Sequence, residues 1–305
     1  MQNSFSFHPN LVIRTPHFPL TMEVREDQLD ELLSHPLFME ALYLASPVLY
    51  EECLKMSRGE ISSPRELRKI RHSLVKYYTR MFSRCTPFGL FSGCSIARWD
   101  RNSQLVIDSS EFERHTRLDM HYLCALAQFL AGSQGVMEHL MFTRNSTLYQ
   151  IGNEIRYIEY FYKEGKRTHK ISAIVRTEYV DRIVDMAKGF HSMHAYAESL
   201  VDEDISLEDA MEFVRGLIDA QVLVSELEPA ITGPEFAQQI ISSLEKRVQD
   251  AGDTIPVILK FLRGVQKGLK SLDDHKVNDP QQYGTIKEML QALRVPYDES
   301  KLFQC

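Results

Sequence analysis

Apolar residues form a single stripe between residues 64 and 84, and this stripe predicts a long amphipathic helix. The stripe residues recur every three or four positions and are Leu67, Ile70, Leu74, Tyr78 and Met81. Residues with that spacing lie on one face of an α-helix. Ser63 can cap the N-terminus, Pro64 suits the first turn, and Glu66 completes a capping box with Ser63. The pattern therefore predicts a helix over residues 64–84.

Shorter periodic segments fill the rest of residues 1–138 and predict both helices and strands. The predicted helices are at 27–33, 37–44, 48–56 and 120–130, and the predicted strands are at 11–14, 90–97 and 105–107. Pro87 moves the residue before it out of the helical region, and Gly89 can adopt backbone angles that other residues avoid, so a tight turn should follow the long helix. We interpret residues 1–138 as a mixed α/β subdomain.

The order of elements changes in residues 139–228. Alternating apolar positions predict strands, which are at 147–151, 154–163 and 168–175. Helical periodicity then predicts three helices and a closing strand, at 178–188, 194–201, 207–220 and 222–227. Three strands followed by three helices predict a winged-helix subdomain. Residues 229–305 are predicted to be mainly helical, at 234–249, 257–272 and 283–293, so the fold class of the chain is α+β.

A row of basic residues occupies the polar side of the predicted 64–84 helix. Its members are four positions apart and are Arg68, His72, Lys76, Arg80 and Arg84. Cations one turn apart repel each other, and a bound phosphate or carboxylate would offset that repulsion through charge-assisted hydrogen bonds. Two alternatives stay open: the row is a solvated face, or carboxylates from elsewhere in the chain pair with it. The row leads to the turn that contains Thr86.

Composition narrows the classes of protein that fit. Of the 305 residues, 44% are hydrophobic and 25% are charged, as in a globular protein with a substantial core. The net charge of -7 argues against coating by nucleic acid, so any RNA contact must be local. No apolar run reaches the roughly 18 residues of a transmembrane segment, and the start of the chain lacks the features of a signal peptide. We expect a cytoplasmic protein.

The chain offers little sign of a metal or cofactor. Its 5 cysteines include no C-x-x-C pair, which favours reduced thiols over a disulfide frame or a zinc site. His191 and His194 lack a third ligand at useful spacing. Phosphate-binding loops, dinucleotide fingerprints and metalloprotease motifs are absent from the sequence. We therefore predict no metal and no cofactor.

Three sequence segments carry a family resemblance. Residues 80–93 read R-x-x-x-R-x-T-P-F-G-L-F-S-G, residues 14–20 read RTPHFPL, and residues 223–233 read LVSELEPAITG. The first looks like a signature of the N-terminal region of lantibiotic dehydratases. The second resembles that family's R-x-P-x-x-P segment, and the third is similar to its L-x-S-E-L-x-P-x-x-T-G segment. The three occur in the family's order and span most of the chain.

The resemblance implies a specific chemistry. Members of the family take glutamate from glutamyl-tRNA, esterify it onto Ser or Thr of a ribosomally made precursor peptide, and then eliminate it to leave a dehydroamino acid. By their positions in the motifs, Arg14, Arg80, Arg84 and Thr86 would handle the tRNA and its glutamyl end. Glutamyl-tRNA would be a co-substrate, and no residue of this chain is assigned a catalytic role.

The resemblance also implies a role for the winged helix, which in this family binds the leader of the precursor peptide as an added strand. An edge strand offers unpaired N–H and C=O groups to such a peptide. The predicted strand at 168–175 would be that edge, and the helix at 207–220 would be the groove wall. The implied leader-binding residues are Lys166, Arg167, Lys170, Ile171, Ala173, Val175, Phe213 and Leu217. The three cations among them would meet acidic leader residues.

Winged helices often bind DNA, and that alternative is disfavoured here by charge. The charged residues of the predicted 207–220 helix are Glu208, Asp209, Glu212, Asp219 and Arg215. An acidic helix would be repelled by phosphates in a major groove, so we predict no DNA partner. Aromatic residues within 157–162 could stack on RNA bases, although aromatic residues in strands more often pack in a core.

Length bears on how much of the reaction this chain could perform. The family's glutamylation region is more than twice as long, and its elimination step lies in a further domain or a second protein. We therefore expect part of a longer dehydratase that is incomplete as a catalyst. Two alternatives stay open: a non-catalytic leader-binding fragment, and a peptide aminoacyl-tRNA ligase on the same scaffold. A homodimer and a separate elimination or cyclase protein are also left open.

Overall fold

The structure is a computed structural model, and it describes residues 6–20, 26–102, 104, 106, 111–163, 166–250, 252–295, 298 and 301–305. Contacts divide the chain into two compact units. The first contains Met1–Arg117, Lys267–Glu288 and Phe303–Cys305, and the second contains Leu118–Gln266 and Met289–Leu302. The predicted division into 1–138, 139–228 and 229–305 stays a prediction, although residues 139–228 lie wholly within the second unit.

The first unit is built from helices around a two-stranded ribbon. In chain order its elements are β1 (Asn10–Pro16), α1 (Glu26–Leu32), α2 (Pro36–Ala45), α3 (Pro47–Ser57), α4 (Pro64–Ser83) and β2 (Ser92–Arg98). β3 (Arg117–Leu118) follows at the end of this stretch. β1 and β2 pair antiparallel, with Asn10 opposite Arg98 and Pro16 opposite Ser92. The bounds of β1, β2 and α1 to α4 differ from the predicted ones by only a few residues, whereas β3 was not predicted.

The helix α4 confirms the long amphipathic helix and its start. Ser63 is the N-cap, and its hydroxyl accepts a hydrogen bond from the Glu66 amide at 3.4 Å. The helix ends one residue earlier than predicted, because Arg84 already has extended backbone angles (φ -117, ψ 119). The apolar stripe is turned inward, and Leu74 and Met81 are fully buried. The predicted strand at 105–107 includes residues outside the described part of the chain.

Glu40 is a charged residue at the centre of the first unit, and it is fully buried. The Arg114 guanidinium donates to both of its carboxylate oxygens, at 3.0 and 2.8 Å. The Tyr283 hydroxyl donates at 2.6 Å, and the Asn278 backbone amide donates at 2.9 Å. Burial raises the pKa of Tyr283, and the nearby Glu40 carboxylate raises it further, so the phenol stays a donor. Four donors therefore compensate a carboxylate that water does not reach.

The second unit combines helices with two small sheets. Its elements are α5 (Met120–Gly132), α6 (Gln134–Met137), β4 (Met141–Arg144), β5 (Tyr149–Ile151), β6 (Glu154–Lys163), β7 (Lys166–Val175), α7 (Glu178–Met186), β8 (His191–Ser192), α8 (Met193–Glu198), α9 (Leu207–Asp219), β9 (Leu223–Ser225) and α10 (Phe236–Glu245). A 3-10 turn covers Val248–Asp250. The last elements of the chain are α11 (Thr254–Asp273), α12 (Pro280–Gln291) and β10 (Phe303–Gln304). Of these, the end of α11, most of α12 and all of β10 belong to the first unit.

Two three-stranded sheets are present in this unit. One has the order β5-β6-β7, and the other has the order β8-β4-β9. The three predicted strands and three predicted helices of residues 139–228 are confirmed, and Ser206 caps α9 by accepting from the Asp209 amide. β4 and β8 were not predicted, because strands of 4 and 2 residues are too short for alternation to show.

The α+β class is confirmed. Among the described helices, none is long and apolar enough to cross a membrane.

The buried Glu40 carboxylate leads to a prediction about stability. Glu40→Gln should lower the free energy of unfolding by about 3–5 kcal/mol, because the amide leaves the Arg114 guanidinium buried without a counter-charge. Urea unfolding followed by circular dichroism measures the change. The matched control is Glu52→Gln, which removes the acid of an exposed ion pair with Lys55 and should leave unfolding unchanged. Equal effects of the two changes would show that Glu40 does not stabilise this unit.

Candidate functional site

The basic row and the R-x-P-x-x-P segment meet in the first unit. β1 carries Arg14, which lies opposite Cys94 of β2, and β1 packs on α4. Beyond β1, the Phe18 amide donates to the Met81 carbonyl at the end of α4, at 2.9 Å, and the His17 amide donates to the Phe91 carbonyl in the turn after α4, at 3.0 Å. The first two motifs that carried the family resemblance therefore form one local structure.

The turn after α4 is held by its own hydrogen bonds. Gly89 has φ +51, a left-handed angle that glycine adopts without strain, as the sequence predicted. The Phe91 amide donates to the Phe88 carbonyl at 3.2 Å. The Ser92 hydroxyl donates to the Thr86 carbonyl at 2.7 Å. Thr86 is exposed, so its side chain is presented to solvent on an ordered turn.

The Arg80 side chain packs against the Phe88 ring in this turn. Its guanidinium carbon lies 4.2 Å from the centre of the Phe88 ring, a cation–π distance. Its Nε is buried and has no hydrogen-bond partner among the described residues. Arg84 differs, because it follows the helix and is exposed, as is Arg14. Of the four predicted tRNA-binding residues, three therefore face solvent and one packs beneath the turn.

The row as a whole lacks counter-charges within the part of the chain that the structure describes. No ion pair involves Arg68, His72, Lys76, Arg80 or Arg84 there, whereas Arg71, on another side of the same helix, pairs with Asp30 at 3.2 Å. Pairing with carboxylates of the described residues therefore does not account for the row. A solvated face and an anion site are the two interpretations left.

The second candidate surface is the edge of the β5-β6-β7 sheet. Short β5 covers only the first part of β6, and side chains replace it further along. Thr147 Oγ1 accepts from the Ile158 amide at 2.9 Å, and Asn145 Nδ2 donates to the Ile158 carbonyl at 3.0 Å. The side-chain amide of Gln221 pairs with the backbone of Tyr160 in the same way. Its Oε1 accepts from the Tyr160 N–H at 3.0 Å, and its Nε2 donates to the Tyr160 C=O at 2.7 Å. That side of β6 is therefore closed to a further strand along this length.

These contacts also fix which groups of β7 are free. Ile158 lies opposite Ile171, and Tyr160 lies opposite His169. Since the polar groups of Ile158 and Tyr160 point away from β7, those of Ile171 and His169 point away from β6. By alternation the same holds for Ala173. β7 therefore has one edge with backbone donors and acceptors turned outward, as predicted for residues 168–175.

The free edge is bordered by exposed apolar side chains. Ile171 and Val175 keep 69% and 63% of their surface exposed, and Ile158 on β6 keeps 44%. Ala173 lies between the first two and is also exposed. Three of the predicted leader-binding residues thus form an apolar face beside an open strand edge, which suits an added strand with alternate apolar side chains.

The predicted cations of this site are engaged within the unit. The Arg167 guanidinium carbon stacks over the Tyr160 ring at 3.6 Å, and the Lys170 ammonium pairs with Glu159 at 3.2 Å. The Tyr160 hydroxyl in turn donates to Glu228 at 2.6 Å. Burial raises the pKa of Tyr160, and Glu228 raises it further. The backbone of Lys166 starts β7, but its side chain is outside the described part.

The two predicted residues of α9 differ in exposure. Phe213 is 36% exposed, and Leu217 is buried at 6%. α9 packs on α8 and β9, and Leu217 belongs to that core. Sequence reasoning missed Gln221 and Asn145, whose amides close the outer side of β6. Gln221 has a left-handed backbone angle (φ +57). Glycine is the residue that usually signals such an angle in a sequence, so this turn gave no sequence signal.

Comparisons with known proteins place the chain in a family. The family described as "Lantibiotic dehydratase, N terminus" matches residues 34–304, so the chain belongs to it. The chain is 30% identical over 158 residues to nisin biosynthesis protein NisB of Lactococcus lactis subsp. lactis, covering 51% of this chain and 16% of that protein. It is 27% identical over 136 residues to epidermin biosynthesis protein EpiB of Staphylococcus epidermidis, covering 43% and 14%.

Solved structures show the same fold. The tRNA-dependent lantibiotic dehydratase MibB from Microbispora sp. 107891 matches with a TM-score of 0.75 at 22% identity, over 97% of this chain and 28% of that one. The glutamylation domain of TbtB, from thiomuracin biosynthesis, bound to 5'-phosphodesmethylglutamycin, matches with a TM-score of 0.56 at 17% identity, over 92% and 33%. This chain spans at most about a third of the length of these relatives. The predicted identity as an N-terminal region of this family is confirmed.

The different settings of Arg80 and Arg84 lead to a prediction about the turn. Arg80→Ala should lower the free energy of unfolding by about 1–2 kcal/mol, because it removes the stacking on Phe88 and the packing of the side-chain stem. Arg84→Ala should leave it unchanged, because Arg84 is exposed beyond the helix. Thermal and urea unfolding of the two variants provide the measurement. If Arg84→Ala destabilised the chain as much as Arg80→Ala, the structural distinction between the two arginines would be wrong.

Proposed function

We propose that this chain is the tRNA- and leader-binding part of a glutamyl-tRNA-dependent peptide dehydratase, acting in the step that transfers glutamate to Ser or Thr of a precursor peptide. The observation that carries the proposal is the ordered turn after α4, where the exposed Arg84 and Thr86 lie beside a basic row that has no counter-charge among the described residues. Arg14 on the adjoining ribbon adds a further exposed cation. A phosphate or a glutamyl carboxylate is the kind of ligand that such a cluster favours.

The edge of β7 supports the second half of the proposal. Its outward N–H and C=O groups and the exposed Ile171, Ala173 and Val175 would receive the leader as an antiparallel or parallel strand. Arg167 and Lys170 are engaged with Tyr160 and Glu159, so the main contribution to leader affinity would come from the strand edge and its apolar face. The acidic residues of α9 are exposed, in keeping with a peptide partner and not DNA.

The proposal requires glutamyl-tRNA as co-substrate and no further cofactor or metal. A tRNA-dependent reaction would take place in the cytoplasm. A homodimer, and a separate elimination or cyclase protein, are part of the proposal and can be tested by light scattering and co-purification. When the precursor peptide is incubated with this chain alone and glutamyl-tRNA and then weighed by mass spectrometry, we expect no glutamate adduct, because the chain is proposed to be only part of the dehydratase. Binding of glutamyl-tRNA separates the proposal from a fragment that binds only the leader, and a glutamate adduct would show that the chain completes the transfer by itself. A different added amino acid would indicate a ligase.

The basic row leads to a prediction about tRNA affinity. Arg84→Ala should weaken binding of tRNA about tenfold and lower the salt dependence by about one phosphate contact, because one exposed cation is lost. Filter binding at several salt concentrations measures both. Arg71→Ala is the matched control on the same helix, and it should have little effect because Arg71 is paired with Asp30. Equal losses for the two variants would argue against a local site at the turn.

The strand edge leads to a prediction about leader affinity. Ala173→Pro should weaken leader binding at least tenfold, because it removes an outward N–H and blocks the added strand, while the β6-β7 ladder does not use that N–H. Gln150→Pro is the matched control, since its N–H points outward from β5 at the opposite edge of the sheet. Calorimetry with the leader peptide measures the affinity, and circular dichroism checks the fold. Unchanged affinity for a folded Ala173→Pro variant would place the leader elsewhere.

A further inference from the structure

A cavity in the first unit lies beside the end of β1, on the apolar side of α4. Its volume is about 390 Å³, in the range of sites that hold a small ligand or one long side chain. Its walls come from the segment after β1, the end of α1, the N-cap of α2 and α4. The lining residues include Phe18, Leu20, Glu31, Leu32, His35 and Tyr78. Tyr78 belongs to the apolar stripe, so the basic row lies on the other side of the helix.

The aromatic walls of this cavity are held in place by their neighbours. The centre of the Phe18 ring lies 5.2 Å from that of His35 and 6.1 Å from that of Tyr78, with the rings edge-on. Tyr78 also packs edge-on against Phe82 at 5.1 Å. The Phe18 amide donates to the Met81 carbonyl, which fixes the backbone at the cavity wall. A ligand that stacks on these rings would therefore bind with little loss of side-chain freedom.

The charge of the cavity wall is negative. Among the described residues that line the cavity, Glu31 is the one acidic residue, and none is a lysine or an arginine. The Glu31 carboxylate has no ion pair or hydrogen bond within the part of the chain that the structure describes. Its neighbour Asp30, in contrast, pairs with Arg71 at 3.2 Å. The cavity therefore combines aromatic walls with a negative charge that has no counter-charge.

We infer that this cavity binds an arginine side chain of the precursor peptide, and the choice of the precursor rests on the proposed function. A guanidinium group is planar, stacks on aromatic rings and binds a carboxylate through two parallel hydrogen bonds. Phe18 and Tyr78 provide rings for stacking, and Glu31 provides the carboxylate. The Tyr78 hydroxyl can accept a further hydrogen bond. The cavity thus presents the groups that recognise arginine.

Other ligands of similar size fit these groups less well. An anion would meet the Glu31 carboxylate with no lysine or arginine in the wall to balance it. An apolar side chain would fill the same volume but would remove the carboxylate from water without giving it a partner. A lysine side chain would balance the charge, but its ammonium group has no flat face to stack on the rings. Arginine is the side chain that satisfies both the charge and the rings.

The precursor peptide is the source of arginine that the proposed function supplies. A single arginine contact is weak by itself. A peptide that is already held at β7 continues beyond the bound strand, and a second contact on the same chain would raise its overall affinity through effective concentration. The inference therefore gives the precursor a second requirement, which is an arginine outside the strand that pairs with β7.

The first test uses the 305-residue chain and N-acetylarginine methylamide as the probe. NMR titration should show that this amide binds about tenfold more tightly than its citrulline analogue, which has the same shape but no charge. Glu31→Gln should weaken binding of the arginine amide about tenfold and remove the preference over citrulline. Glu51→Gln is the matched control, because it removes an exposed acid of α3 that does not line the cavity. Circular dichroism checks that both variants are folded.

A second measurement separates this inference from the proposed function. Calorimetry should show that Glu31→Gln weakens binding of the whole precursor about fivefold. Replacing the arginines of the precursor by citrulline should weaken binding to the unchanged chain equally and should have little further effect on Glu31→Gln, because both changes remove one contact.

Three results would contradict the inference. If the leader binds in an Ala173-dependent manner but the arginine amide does not bind, the inference is overturned and the proposed function stands. If the amide binds equally to the unchanged chain and to Glu31→Gln, its site lies elsewhere and the inference is again overturned. If the amide binds through Glu31 but Glu31→Gln leaves precursor binding unchanged, the arginine belongs to another protein and the assignment to the precursor is wrong.

Discussion

The buried Glu40 carboxylate is the constraint on which the first unit depends. A carboxylate without water must have its charge balanced and its oxygens satisfied. The groups that do this come from distant parts of the sequence: Arg114, the Asn278 amide and the Tyr283 hydroxyl. Each must be in place for the others to be tolerated. Through this one group, α2 is joined to the segment before β3 and to the chain around the start of α12.

A similar requirement shapes the second unit, where the outer side of β6 must not be left unpaired. β5 is too short to cover it, and the side chains of Thr147, Asn145 and Gln221 complete the hydrogen bonding. The consequence appears on the other side of the sheet. Because β6 is satisfied, β7 is the edge with outward polar groups along Ile171 and Ala173, and it is the place where an extended peptide can add.

The two candidate surfaces differ in how charge is used. At the turn after α4, the basic row has no counter-charge among the described residues, so its positive charges are available to attract an anionic ligand. At the β7 edge, Arg167 and Lys170 are held by Tyr160 and Glu159. One surface therefore suits a polyanion, and the other suits a peptide held by its main chain and apolar side chains.

The sequence by itself determined the local elements: the apolar stripe of α4, its cap at Ser63, the turn at Gly89 and the alternation of β6 and β7 all follow from short-range spacing. It also determined the family, through motifs whose residues are close in the chain. Tertiary structure decided what depends on distant residues. Arg80 lies under Phe88 while Arg84 is exposed, Leu217 is buried while Phe213 is not, and Gln221 closes β6. Periodicity reports which residues share a face, but the partner that covers a face, or leaves it open, is fixed only when distant segments pack together.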